Sequence, residues 1–146
     1  MLVTSYKKAI AGIIIFHIST SCYPDSDKYL CIEKHSVGFK YTTKSNDWEN
    51  ANFTRDEYII SKCNSSDQQS FLTYDCKYKF TKVGDTQPSG KCSYYPKISI
   101  ICEPYLAKLK INLKNGRFIY VYSEGYWNSN FESDTPYMAI GICTPF

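Results

Sequence analysis

Two histidines, two tryptophans and two arginines among 146 residues leave few groups for acid–base chemistry or for bidentate anion recognition. Only His35 lies beyond the first 21 residues, which excludes any mechanism built on a histidine pair, such as that of the pancreatic-type ribonucleases. No cysteine pair stands in C-x-x-C spacing, so with one histidine a structural zinc site does not fit, and neither metal nor cofactor is expected. No G-x-S-x-G elbow occurs, and the adjacent carboxylates Asp56 and Glu57 would point to opposite faces of a strand, away from joint acid–base work. Internal repeats, heptads and low-complexity tracts are missing too. The length fits one domain.

What is present starts with a leader. Lys7 and Lys8 form a positive region, Ala9 to Ile18 is an apolar run of ten residues broken only by His17, and Ser19-Thr20-Ser21 supplies small residues before Cys22. That order is a cleaved signal peptide over residues 1–21, and the run is shorter than the ~20 residues a bilayer span needs. The mature domain is then 22–146, exported to a periplasm, carried on an outer membrane as a lipoprotein, or secreted. Without Lys7 and Lys8 the formal charge falls from +3 to +1, so the whole chain has no general electrostatic pull toward nucleic acid or membrane.

Seven cysteines, at 22, 31, 63, 76, 92, 102 and 143, are dense for such a domain and imply disulfides in an exported chain. Their odd number has a reading. If cleavage falls before Cys22, that residue is the lipidation position of a bacterial lipoprotein, although Ser19 stands where such proteins usually carry leucine. A lipid there would be the only membrane attachment. Cys31, Cys63, Cys76, Cys92, Cys102 and Cys143 then form three bridges, with fifteen connectivities open.

The rest is rich in Tyr, Ile, Phe, Val and Thr in short alternating runs punctuated by Gly, Pro, Asn and Asp. Strands are expected at 28–33, 37–42, 57–63, 71–81, 93–102 and 137–143, with a hairpin between 105 and 123. Asn115-Gly116 suits a two-residue hairpin turn, which sets Leu113 opposite Phe118, Ile111 opposite Tyr120 and Leu109 opposite Tyr122, with Lys114 against Arg117. The whole is a mostly β, disulfide-stapled domain of about eight antiparallel strands, a small barrel or a sandwich. Connections are expected at 45–47, 64–69, 84–90 and 126–136, and a short helix is admissible near 52–58 or 104–108.

The segment after Gly125 is the richest in recognition chemistry. Tyr126, Trp127 and Phe131 stand beside Asn128 and Asn130, the mixture of rings and hydrogen-bonding groups found at protein and sugar interfaces; the competing role for the rings is to plug a barrel end. Asn128, Asn130, Glu132 and Asp134 alternate like calcium ligands but lack the loop glycine and closing glutamate. Asn52-Phe53-Thr54 and Asn64-Ser65-Ser66 are glycosylation sequons. These residues predict a non-enzymatic exported binding protein, a periplasmic inhibitor or cell-envelope module, whose partner is a protein or wall component. The alternative is a secreted hydrolase or ribonuclease using His35 with Glu33, Glu57 or Glu103 and an arginine, or an effector.

In Tyr29-Leu30-Cys31, Gly38-Phe39-Lys40-Tyr41, Trp48 with Phe53, Tyr58-Ile59-Ile60-Ser61-Lys62, Arg117-Phe118, Gly125-Tyr126-Trp127, Asp134-Thr135-Pro136 and Ile140-Gly141-Ile142-Cys143, the chain resembles small exported bacterial proteins of unknown function. The resemblance covers Tyr29 to Cys143 and implies a compact β domain, with no active site to carry over. The Tyr-x-Cys entry and terminal cysteine are also similar to those of periplasmic C-type lysozyme inhibitors, small β-barrels often made as lipoproteins, although their inhibitory-loop motif is not visible. The same entry resembles ribonuclease-like secreted effectors of cereal mildew fungi, which usually carry one bridge. Either likeness implies a Cys31–Cys143 pair.

Overall fold

In the computed structural model the described residues are 26–70, 76–124, 126 and 135–146. The expected leader, Cys22 and residues 127–134 lie outside them. Nine strands and one short helix follow in order: β1 (Lys28–Thr42), β2 (Asp47–Asn52), β3 (Glu57–Lys62), α1 (Ser65–Ser70), β4 (Tyr78–Lys82), β5 (Gly90–Tyr95), β6 (Ser99–Pro104), β7 (Ala107–Asn112), β8 (Arg117–Tyr122) and β9 (Tyr137–Pro145). Every pairing is antiparallel, and β9 pairs back onto β1, so eight strands close into a barrel with β2 as an extension outside it. The barrel, not the sandwich, is the architecture.

Connectivity is a meander with one interruption. β2 and β3 run along the same edge of β1, one on each half, and residues 53–56 join them. The Glu33 amide donates to the Asp56 carbonyl and the Ser36 hydroxyl to the Phe53 carbonyl, which keeps this joint against β1. The two expected strands at 28–33 and 37–42 are therefore one bent strand. Its register against β9 shifts between Glu33 and His35, and the bulge leaves Lys34 and His35 both outside.

Alternation fills the inside with rings and cysteines. Tyr29, Cys31, Tyr58, Ile60, Tyr78, Phe80, Ile100, Leu109, Ile111 and Phe118 are buried, and Tyr58 stacks on Tyr120 at 5.4 Å between centroids while contacting Phe80 at 5.0 Å. Such rings each bury roughly 150–250 Å², and the barrel is packed rather than hollow. Gly141 is fixed by this packing, because a Cβ there would collide with the Ile32 carbonyl and the Phe118 ring.

Three disulfides join six of the seven cysteines: Cys31–Cys143, Cys63–Cys76 and Cys92–Cys102. Two of them join directly opposed residues, across β1–β9 and β5–β6. Three such bonds suit an oxidising environment.

The sequence-derived hairpin exists with a different register. Ile111 faces Phe118, Leu109 faces Tyr120 and Ala107 faces Tyr122, so the loop holds four residues, 113–116, and Lys114 does not oppose Arg117. The Asn112 side chain accepts from the Lys114 amide at 2.8 Å, the Asn115 side chain from the Arg117 amide at 3.0 Å, and Gly116 takes φ 67°. Leu113 is buried as part of the core cluster, its amide donating to the Ile98 carbonyl. A shift of two keeps the inward face unchanged.

Other expectations move as well. The run 93–102 is two strands, turned at Pro96-Lys97 with Lys97 at φ 59°. Of 71–81 only Tyr78 onward is strand, and 71–75 lie outside the described residues. β2 occupies the stretch next to the expected 45–47 turn, and the helix falls at 65–70 inside an expected connection. Asn64 caps it: its side chain accepts from the Ser66 and Asp67 amides at 3.0 Å each, while Asp67 accepts from the Asn64 amide at 2.8 Å. Burial alone would raise the pKa of Asp67, but the Asn64 amide and Lys79 outweigh it and hold the carboxyl below its usual range. Its contribution to stability is thus present at neutral pH and lost as pH falls below about 3.8, the unperturbed value. Replacing Asn64 by Ala should lower the urea-unfolding free energy by about 1 kcal/mol.

Candidate binding groove

The exposed end of the β1–β2 ribbon carries an aromatic array. Tyr41 and Trp48 are cross-strand partners with centroids 5.8 Å apart, and Tyr126 meets Trp48 at 5.7 Å from the far side. The ribbon is held by its turn: Asn46 at φ 54° accepts from the Tyr41 hydroxyl at 2.6 Å, and Ser45 donates to Glu49 at 2.7 Å. Below the rings, Val37 and Phe39 of β1 continue sideways into Met138 of β9 and Val121 of β8, partners by register. These side chains, Tyr122, Tyr137 and the amides Asn50 and Asn52 line a groove of about 910 Å³.

Tyr126, one of the five expected recognition residues, is 68% exposed and belongs to this groove. Trp127, Asn128, Asn130 and Phe131 lie outside the described residues, as do the alternating calcium-type residues and Cys22. Trp48 is the residue that sequence reading passed over as a site. Its signal was present in the Tyr41-x₆-Trp48 spacing around a turn-forming Ser45-Asn46, but a tryptophan in an unassigned stretch gives no direction.

Behind the groove floor a polar cluster sits in the barrel. Glu33, 1% exposed, accepts from the Tyr58 hydroxyl and from the Asp56 amide, the latter at 3.1 Å. Burial raises its pKa, and those two donors counter the rise. Tyr137 couples its hydroxyl to those of Tyr58 and Tyr120, and burial pushes all three phenols upward, so they remain neutral donors.

The enzyme reading needed His35 beside a glutamate. The bulge separates them, with Glu33 inside the barrel and His35 outside. Glu103 lies 3.1 Å from Lys108, and among the described residues no carboxylate lines the hollow that holds His35 and Arg117. Among the described residues no group of acids, histidines or cysteines is arranged to hold a metal.

A closed, disulfide-bonded β-barrel with a packed interior and an aromatic groove on its outer wall is the class that the fold and site define. No family model, curated protein or solved structure matches the chain.

Proposed function

We propose that this chain is a non-enzymatic exported binding protein that recognises its partner through the groove around Trp48 and Tyr126. The observation that carries it is the exposed apolar floor: Val37, Phe39 and Met138 are 52%, 50% and 43% exposed and continuous with two aromatic walls. Contiguous patches of this kind mark interaction sites, and tryptophan and tyrosine dominate binding energy where they are desolvated. The packed interior supports recognition on the outside rather than ligand storage within. The leader over 1–21 and the disulfides support action outside the cytoplasm, in a periplasm, on an outer membrane through Cys22, or in the medium. The hydrolase or ribonuclease alternative has less support, because among the described residues no carboxylate lines the hollow that holds His35.

A photo-crosslinking residue at Phe39, compared with one at Lys91 on the opposite wall, identifies the partner in the producing cell. Trp48→Ala should then weaken binding to that partner by at least about 30-fold, a hot-spot effect, while the urea midpoint stays unchanged. Equal crosslinking from Lys91, or unchanged affinity in Trp48→Ala, would remove the groove from consideration. Loss of a measured turnover in His35→Ala would overturn the binding-only reading.

A further inference from the structure

The groove leaves a second part of the outer wall unused. Lys110, Ile119, Ile140 and His35 form one straight row across β7, β8, β9 and β1 by strand register. At about 4.8 Å per strand its two basic ends are roughly 14 Å apart at Cα, with two isoleucines between them. Lys34 and Arg117 border the same hollow, of about 680 Å³. The β1 bulge is what brings Lys34 to the outside next to His35, since strict alternation would turn one of them inward. Ile98, Ile119 and Ile140 on the hollow's floor and rim are 64%, 37% and 47% exposed.

What sets this hollow apart is that three cations share it without an acid among its described lining residues. Lys62, Lys79, Lys82 and Lys108 each hold an acid. Among the described residues Lys34, Lys110 and Arg117 hold none, and no carboxylate lines the hollow. Three uncompensated cations and an imidazole around an aliphatic floor are complementary to an anion that carries hydrocarbon.

We propose that this hollow docks the barrel on an anionic phospholipid surface, with Lys34, Lys110 and Arg117 on lipid phosphates and the isoleucines at the headgroup–acyl boundary. The exposed apolar side chains of the hollow are aliphatic, its one ring, Phe118, being buried in the core, whereas single-stranded nucleic acid is held by aromatic platforms for its bases. A free phosphate would have no use for the isoleucines. Each cation near an anionic surface is worth about fivefold in partitioning, so three together are worth on the order of 100-fold.

The test is cosedimentation of the oxidised protein with phosphatidylcholine vesicles containing or lacking phosphatidylglycerol. The triple variant Lys34→Ser/Lys110→Ser/Arg117→Ser is compared with Lys40→Ser/Lys44→Ser/Lys91→Ser, which removes equal charge elsewhere. The expected result is binding only to the phosphatidylglycerol vesicles, a loss of about 100-fold in the first variant and less than about fivefold in the second. Ile119→Ser/Ile140→Ser should also weaken binding while leaving its salt dependence intact. Because all variants share the rest of the chain, any contribution of the leader or Cys22 cancels in the comparison. Equal binding to neutral vesicles, or equal losses in the two triple variants, would overturn the proposal. So would displacement at matched phosphate concentration by single-stranded RNA, which would make the site a nucleic-acid site, or by inorganic phosphate, which would make it a free-anion site.

Discussion

Replacing Cys31 and Cys143 together by serine should lower the unfolding free energy by about 4–5 kcal/mol, the loss expected when a link closing a loop of some 100 residues is removed from the unfolded chain. The bridge has a sequence separation of 112, whereas Cys92–Cys102 spans 10 and should cost about 2–3 kcal/mol when removed in the same way. Location adds to the difference. Cys31–Cys143 crosses β1–β9, the pairing that turns the meander into a closed barrel. Without it that seam still has its strand hydrogen bonds, but closing it then costs the full entropy of bringing the two chain ends together. Cys92–Cys102 reinforces a hairpin whose ends are close in sequence already. Urea unfolding of the two double-serine variants measures both numbers, and an equal loss in the two would show that neither loop length nor the place at the closing seam governs what a bridge contributes. Near-normal stability of the Cys31/Cys143 variant would show that the seam is held by packing of Tyr29 and Phe118 instead.

The general form of the fold was legible because it rests on local patterns. Alternation in Leu109, Ile111 and Phe118, Tyr120 states which side faces the core, and the inward face is the same for both registers of that hairpin. The register itself was not legible. Asn112 and Asn115 side chains capture backbone amides around the turn, and Gly116 passes its carbonyl to the Cys143 amide, a contact with a strand 27 positions away. The β1 bulge was equally hidden, because nothing in Glu33-Lys34-His35 shows that the partner strand skips a residue. That one extra residue moves Glu33 and His35 to opposite sides of the wall and so undoes the catalytic pairing that their spacing suggested. Net charge misled in the same way. A charge of +1 over residues 22–146 averages paired and unpaired cations, and only the fold shows that Lys34, Lys110 and Arg117 share one hollow with no carboxylate among its described lining residues. The pairing of Cys31 with Cys143 came from family likeness, with spacing leaving all fifteen connectivities open.

Glu33 and Tyr58 carry the other large expected effect. Tyr58→Phe removes one of the two donors to a carboxyl that is 1% exposed, and an unsatisfied buried acceptor costs about 1–3 kcal/mol, more when it is charged. The two protonation states of Glu33 make this cost depend on pH. Burial raises the Glu33 pKa above its ordinary 4.5, so the stability it contributes is fully present below that value and is lost as pH rises through the folded pKa. Glu33→Gln keeps one of the two acceptor oxygens and cannot ionise; its stability relative to the unaltered protein should therefore improve as pH rises above 4.5, until the folded pKa of Glu33 is passed. Tyr58→Phe should move oppositely. Its hydroxyl pulls the Glu33 pKa down, so without it the carboxylate is still harder to form inside the barrel and the variant loses more at pH 7 than at pH 4. Parallel urea titrations of the three proteins from pH 4 to pH 8 give the answer. A flat difference for Glu33→Gln would mean that Glu33 ionises as readily inside the barrel as in the unfolded chain, whereas a difference still growing at pH 8 would mean that Glu33 stays protonated in the fold and that the cluster behind the groove floor is a neutral hydrogen-bond network.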